Sequence, residues 1–152
     1  MKTSYRIARY AAILFACFAI TSIWGSLGMA EPPATEAAPK TKIPSILADF
    51  VKANNDRDTD TVTACFSKDA VVYDAGHIMR GTGEIRQWSA ELFQKFRYVV
   101  APTNAKGEAN GVILTAMITG NFPGERVSLE YYCRILGDKI EVMVIQPTPV
   151  TK

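Results

Sequence analysis

The sequence predicts an α+β fold in which helices cover one face of a curved antiparallel sheet. Two observations lead to this prediction. Between residues 43 and 96 apolar side chains recur mainly at helical spacing, whereas after residue 98 they form short β-branched and alternating runs separated by turn residues. A run of helices followed by a run of strands is typical of α+β domains rather than of alternating α/β folds.

The first thirty residues form a segment of different character. Lys2, Arg6 and Arg9 precede a stretch without charge that extends to Ala30, and the polar residues from Glu31 onward could not continue an apolar helix. This layout is typical of a secretory signal peptide, so we expect residues 1–30 to be cleaved after Ala30. An uncleaved anchor is the alternative, because about twenty uncharged residues can span a bilayer. Cleavage predicts export to the periplasm or the extracellular space, without stable membrane insertion afterwards.

Removal of this segment changes the charge of the protein. The whole chain has a formal net charge of +2, and the loss of three basic residues and no acidic ones leaves −1. The remainder has no run of basic residues and no basic and aromatic stripe. A nucleic-acid-binding function is therefore not expected.

A linker and two helices follow. Residues 31–42 mix proline, alanine, threonine and charges without periodicity, which indicates a flexible linker, and the domain is expected at residues 43–147 with a short tail at 148–152. The first helix is predicted by helical spacing of Ile43, Ile46, Leu47, Phe50 and Val51. Asp58 can cap a second, shorter helix in which Val62, Cys65 and Phe66 share a face.

A strand at residues 71–73 and a third helix complete the first half. The helix is predicted to start at Thr82 or Gly83, because Ile85, Trp88, Leu92, Phe93 and Phe96 form one apolar stripe. This stripe is rich in aromatic residues, which favours a pocket between helix and sheet, although a closed aromatic core is the alternative.

Four strands are predicted after Tyr98, at residues 98–100, 112–118, 127–136 and 140–145, with a turn at Lys106-Gly107 between the first two. Alternation along the third of them places Leu129, Tyr131 and Cys133 on the inner face. In an oxidising compartment Cys133 and Cys65 could form a disulfide or remain buried thiols, and the sequence leaves both open.

Asp74 and His77 are the candidate chemical groups. Asp74 shares a strand face with Val72, and a carboxylate beside apolar neighbours has a raised pKa, which suits a general base. The alternative is a turn residue that accepts backbone N–H groups. Histidine is the side-chain type that ordinarily changes charge near neutral pH, so His77 could act with Asp74. It can meet Asp74 only if the intervening Ala75-Gly76 turn folds back; otherwise it is a solvated loop residue.

Other chemistries lack their residue patterns. One histidine and dispersed cysteines give no metal-ligand spacing, and the chain has neither a Gly-x-Ser-x-Gly motif nor a phosphate-binding loop. We therefore expect no metal and no cofactor.

Two stretches resemble a known family. "FSKDAVVYDAGHIMRGTGEIRQW" and "ITGNFPGERVSLEYYCRILGDKIEVMVI" are similar to the corresponding parts of the nuclear transport factor two-like superfamily, which includes the SnoaL-like polyketide cyclases and ketosteroid isomerase. The resemblance covers about residues 43–146. It implies a cone-shaped, strongly curved antiparallel sheet wrapped around three helices, with a deep pocket inside.

The resemblance also implies roles for single residues. Asp74 takes the position of the general base of ketosteroid isomerase, and Tyr131 falls approximately where that enzyme has a protonated acid. Phe50 replaces a tyrosine donor, and a missing donor to a developing oxyanion costs about 2.7–4 kcal/mol, so steroid isomerisation is not expected. The ligand pocket is expected to be lined by Phe50, Val72, His77, Trp88, Phe93 and Leu129.

Two functions follow from the resemblance. The first is binding of a small apolar or carbonyl-bearing ligand, with proton transfer by Asp74. The alternative is a non-catalytic interaction or envelope accessory module. Since relatives commonly pair through the outer face of the sheet, a homodimer is expected.

Overall fold

The computed structural model describes residues 42–149. The predicted signal peptide, nearly all of the linker and the last residues of the tail lie outside the described residues. Three helices and six strands follow one another in this range. They are α1 Ser45–Asp56, α2 Thr59–Ala64, β1 Phe66–Asp74, β2 His77–Arg80, α3 Gly81–Lys95, β3 Tyr98–Glu108, β4 Gly111–Gly120, β5 Arg126–Leu136 and β6 Lys139–Pro147.

The strands form one sheet in the order β2-β1-β6-β5-β4-β3. The predicted fold class is confirmed, since an open curved sheet carries three helices from the N-terminal half of the domain. The sheet is mixed rather than wholly antiparallel, because β1 and β6 run parallel. These two strands are far apart in sequence and no hairpin joins them, so no turn forces an antiparallel pairing.

Irregular pairing bends the sheet at three places. The register shifts in β1 between Phe66 and Val71, in β3 between Pro102 and Asn104, and in β5 at Arg134. A bulge adds local twist and bends the strand that contains it. The bends give the sheet the curvature that a cone requires.

The hydrophobic core lies between the helices and the inner face of the sheet. Helix α3 packs on β1 and β2, and α1 packs on β3. The largest side chains that are fully buried include Phe50, Leu47, Ile85, Leu114 and Met143. Inner and outer residues alternate along β5, where Tyr131 and Cys133 are buried, as the sequence predicted.

Two strands, β1 and β3, are much longer than the sequence-based prediction, which gave residues 71–73 and 98–100. Helix α2 ends at Ala64, so Phe66 opens β1 instead of continuing the helix, and its ring packs edge-on against Phe50 at a centroid distance of 5.8 Å. The turn predicted at Lys106-Gly107 lies in β3, whose pairing with β4 continues to the Glu108↔Gly111 pair. In both cases tertiary pairing overrides a local preference.

Cys65 and Cys133 are buried free thiols in the structure, which decides between the two alternatives that the sequence left open. Burial raises the pKa of Cys65 to about 11 and that of Cys133 to about 12. Both are therefore protonated and poorly nucleophilic near neutral pH.

None of the helices between residues 42 and 149 is both long enough and apolar enough to cross a bilayer.

The β1–β2 turn contains a strained residue. Ala75 has a φ of 50° and is followed by Gly76 at 80°, the pair of positive values that a type I′ hairpin turn needs. A Cβ atom disfavours this region by about 1–2 kcal/mol, and Ala75→Gly removes this strain. Glycine also gives the unfolded chain more conformational entropy, which offsets part of the gain. We therefore expect Ala75→Gly to raise the free energy of unfolding by about 0.5–1 kcal/mol. Urea unfolding measures this change. Ala64→Gly, at a helical position, should have the opposite sign.

Candidate functional site

The β1–β2 hairpin brings Asp74 and His77 together. They are directly paired across the two-residue turn, and the next pair on the same face, Val72 and Met79, is buried. Because side chains alternate along both strands, Asp74 and His77 lie on the same inner face as Val72. The turn therefore folds back, as the Asp74–His77 hypothesis required. Asp74 lies next to the turn and on the inner face at the same time, so the two interpretations of this residue are compatible.

Trp88 holds the Asp74 carboxylate. The third helix begins directly after β2, where the backbone N–H of Arg80 donates to Glu84 at 2.7 Å, and it carries Trp88 over the hairpin. The indole Nε1 of Trp88 donates to Oδ2 of Asp74 at 3.1 Å. Burial raises the pKa of Asp74, while the Trp88 hydrogen bond and the His77 charge oppose this in part. The result is a carboxylate of increased basicity in a fixed orientation.

Tyr98 and Asn54 form a second polar group that the sequence-based reasoning missed. The Tyr98 hydroxyl donates to Oδ1 of Asn54 at 3.1 Å, and Nδ2 of Asn54 donates to the carbonyl of Phe50 at 2.8 Å. Asn54 is only 5% exposed. Its position four residues after Phe50, on the apolar stripe of α1, was the available signal, because a buried amide needs polar partners.

The third polar group is Tyr131. One row of paired residues crosses the inner face from Asp74 on β1 through Ile145 on β6 to Tyr131 on β5. Two strand spacings separate Asp74 from Tyr131, or about 10 Å between their backbones. Burial raises the pKa of Tyr131, and the charges of Tyr98 and Asp74 raise it further. Burial likewise raises the pKa of Tyr98, against an opposing effect of Arg57.

These groups combine a base with hydrogen-bond donors. A carboxylate with a raised pKa accepts a proton more readily than an exposed one, and tyrosines with raised pKa values remain protonated and able to donate. The side chain of Phe50 contributes no polar atom, and its ring packs against Tyr131 at a centroid distance of 6.1 Å. The arrangement can accept a proton at Asp74 and stabilise a developing oxyanion at Tyr131.

A family comparison identifies the domain. The model of the SnoaL-like domain family matches residues 47–136, which is most of the described chain. The chain belongs to the SnoaL-like domain family. The resemblance noted from the sequence is thereby confirmed, and the fold is that of the nuclear transport factor two-like superfamily. A comparison with curated proteins found no match.

Solved structures agree with membership of the SnoaL-like family. A putative polyketide cyclase from Sinorhizobium meliloti is 30% identical, with a TM-score of 0.66 over 68% of this chain and 95% of that one. A hypothetical protein from Catenulispora acidiphila with a ketosteroid isomerase-like fold, crystallised with trimethylamine, is 20% identical, with a TM-score of 0.65 over 69% and 86% of the chains. TerC, co-crystallised with polyporic acid, is 12% identical, with a TM-score of 0.60 over 68% and 89%. The last two show the fold alone.

The residues predicted to line a pocket occupy different environments in this SnoaL-like domain. Phe50 and Val72 are 1% and 0% exposed and belong to the packed core. Trp88 and Leu129 are partly buried and pack against that core. Phe93 lines an open groove on the helical side, which does not include Asp74 among its lining residues. The pocket lining therefore stays a prediction.

Metal ligands are not grouped in the described part of the chain. Between residues 42 and 149 no three His, Cys, Asp or Glu side chains come together as a set that could hold an ion.

Replacing Trp88 by phenylalanine should raise the pKa of Asp74 further. The substitution keeps an aromatic ring on α3 but removes the Nε1 donor, which lowers the pKa of this carboxyl in the native domain. The carboxyl carbon of Asp74, followed by NMR as a function of pH, measures the change. Gln87→Ala, at an exposed neighbouring position, should leave the titration unchanged, and an unshifted Asp74 in Trp88→Phe would contradict the assigned hydrogen bond.

Proposed function

We propose that this domain binds a small apolar or carbonyl-bearing molecule at the inner face of the sheet and that Asp74 acts on it as a general base. The observation that carries the proposal is the inward Asp74 carboxylate, oriented by Trp88 and raised in pKa by burial. Membership of the SnoaL-like family and the similarity to a putative polyketide cyclase from Sinorhizobium meliloti support a ligand-binding role. Neither identifies the ligand.

The proposed chemistry is proton transfer next to a carbonyl group. Asp74 takes a proton from the carbon beside the carbonyl, the electron pair of that C–H bond forms a C=C bond, and the π electron pair of the carbonyl moves onto its oxygen to give an enolate. The Tyr131 hydroxyl donates a hydrogen bond to this oxygen, and protonated Asp74 returns the proton at the same or a conjugated carbon. A positioned base contributes about 10²–10⁴-fold to such a step.

Two experiments test the proposal. Native mass spectrometry of the protein purified from its own compartment should detect a bound small molecule. Proton NMR in D₂O should show that the protein accelerates deuterium exchange at the carbon beside the carbonyl of 2-tetralone, an apolar ketone. Bovine serum albumin at equal concentration controls for non-specific surface catalysis. A protein without a retained ligand and without acceleration would contradict the proposal.

Export is part of the same proposal. The basic start and uncharged stretch of residues 1–30 support a cleaved signal peptide. N-terminal sequencing of the mature protein from a fractionated cell should begin at Glu31. A chain that keeps Met1 and sediments with membranes would instead support the anchor.

One observation supports the alternative, a dimeric interaction module. A row of outward residues crosses the sheet opposite the row that contains Asp74. It runs through Ile78, Tyr73, Val144, Tyr132 and Ile113. Tyr73 and Ile78 are 38% and 48% exposed. An apolar row of this length resembles the centre of a protein interface.

Light scattering distinguishes this alternative. If the row pairs two copies, the mature protein should be a dimer at micromolar concentration, and Ile113→Asp should convert it to a monomer. Leu136→Asp, which adds the same charge at an exposed site at the end of β5, is the matched control. A wild-type protein that stays monomeric at every micromolar concentration measured would rule out the homodimer.

A further inference from the structure

An open groove lies on the helical side of the domain, and Asp74 is not among its lining residues. It is lined by Arg57, Thr59, Ala90, Phe93, Gln94 and Arg97. We call it the arginine groove. Two cations therefore face one concavity whose other lining groups are a hydroxyl, an amide and apolar carbon.

Main-chain carbonyls at the end of α3 hold both arginines. Nη1 of Arg57 donates to the carbonyl of Phe96 at 2.8 Å, and Nη1 of Arg97 donates to that of Phe93 at 3.4 Å. The Arg57 guanidinium also lies 5.4 Å from the centre of the Phe93 ring. A guanidinium has five N–H donors, so each arginine keeps donors for a further partner.

These positive charges are not neutralised by ion pairs within residues 42–149, where the pairs involve Lys52, Arg86, Lys106 and Arg134. The acidic residues that flank Arg57 in sequence have other partners. Asp56 pairs with Lys52, Asp60 pairs with Arg86, and Asp58 accepts hydrogen bonds from Thr61. The arginine groove thus has positive charge and an apolar floor.

We propose that the arginine groove binds an organic carboxylate whose apolar body lies against Ala90 and Phe93. The planar forks of Arg57 and Arg97 match the two oxygens of a carboxylate. Gln94 and Thr59 supply neutral hydrogen-bonding groups to the lining. This site does not depend on the chemistry proposed at Asp74, since Asp74, Trp88 and Tyr131 are not among its lining residues.

The test is an NMR titration of the folded domain with benzoate at constant ionic strength. Benzoate should shift backbone amide signals of residues that line the arginine groove, with a dissociation constant in the millimolar range. Benzamide, which has the same shape without the charge, should bind at least tenfold more weakly. Inorganic phosphate, which lacks the apolar body, should also bind more weakly than benzoate.

Variants separate the groove from the general surface charge. Arg97→Gln should weaken benzoate binding at least tenfold. Ala90→Glu should do the same by placing a carboxylate in the groove, without removing either arginine or its hydrogen bond. Arg80→Gln is the matched control, because it removes the same charge at the opposite end of α3, about 22 Å away along the helix. Circular dichroism confirms that each variant is folded.

Three results would overturn the proposal. They are absence of benzoate-dependent shifts at the groove, equal binding of benzamide or phosphate, and equal loss of binding in Arg80→Gln. Loss confined to the groove variants would support it. Asp74→Asn should leave benzoate binding intact, so the proposed carboxylate site and the proposed general base can be refuted independently of each other.

Discussion

Replacing Asp74 by asparagine should reduce proton exchange or turnover on a responsive carbonyl substrate by about 10²–10⁴-fold, the usual contribution of a positioned base. Asparagine has the same shape and its Oδ1 can still accept the Trp88 N–H, so the fold and the orientation of the side chain are retained. The amide cannot accept the proton. The exchange rate in D₂O, measured for both proteins at equal concentration, gives the ratio.

The same substitution should stabilise the fold at neutral pH. The pKa of Asp74 is raised in the folded state, so the folded protein binds this proton more tightly than the unfolded chain does. Stability is therefore lost as pH rises from the unfolded pKa of about 3.9 through the folded value, and this loss persists at pH 7. Asparagine has no charge to bury. The higher free energy of unfolding of Asp74→Asn relative to the wild type, measured with urea, should disappear below about pH 4.

A matched control is Asp69→Asn on the same strand, where the side chain is exposed. Asp69→Asn should change the deuterium exchange rate and the free energy of unfolding much less than Asp74→Asn does. An Asp74→Asn protein that retains full exchange activity would exclude Asp74 as the base. A variant that loses activity and is also less stable at pH 7 would indicate a structural role for the carboxylate.

Phe50→Ala should destabilise the domain by about 3–5 kcal/mol, the range for truncation of a fully buried aromatic residue. The Phe50 ring is 1% exposed and contacts the rings of Phe66 and Tyr131. Its loss leaves a cavity where α1 meets the sheet. Because natural domains have only about 5–15 kcal/mol of stability, a large part of the total would be lost.

Urea unfolding followed by near-ultraviolet circular dichroism measures this effect. Leu136→Ala, at a position that is 67% exposed, is the control and should change the free energy of unfolding by less than about 0.5 kcal/mol. A Phe50→Ala effect as small as that of Leu136→Ala would mean that the ring is not part of the core.

The sequence predicted the inward position of Asp74 but not its partner. Alternation from Val72 places Asp74 on the inner face, and this step needs only strand geometry. The hydrogen bond from Trp88 depends on how α3 crosses the hairpin, a relation between elements that no spacing in the sequence encodes. For the same reason the Tyr98 and Asn54 pair was missed, since it joins α1 to β3 across 44 residues.

For His77, alternation along an extended segment did not predict the observed geometry. Counting along an extended segment puts His77 and Asp74 on opposite faces, whereas the turn makes them direct partners. The positive φ values of Ala75 and Gly76 make this possible. Gly76 is an ordinary signal for such a turn, but Ala75 is not, because alanine rarely adopts a positive φ.

The sequence by itself determined the α+β class, the three helices, the inner face of β5 and the inward carboxylate, because these depend on local periodicity. Only the tertiary structure decided the parallel pairing of β1 with β6, the free state of Cys65 and Cys133 and the meeting of Arg57 with Arg97 at one groove. Each of these depends on how segments distant in the chain pack against one another. Such contacts are selected by the packing of the whole core, and local periodicity does not specify them.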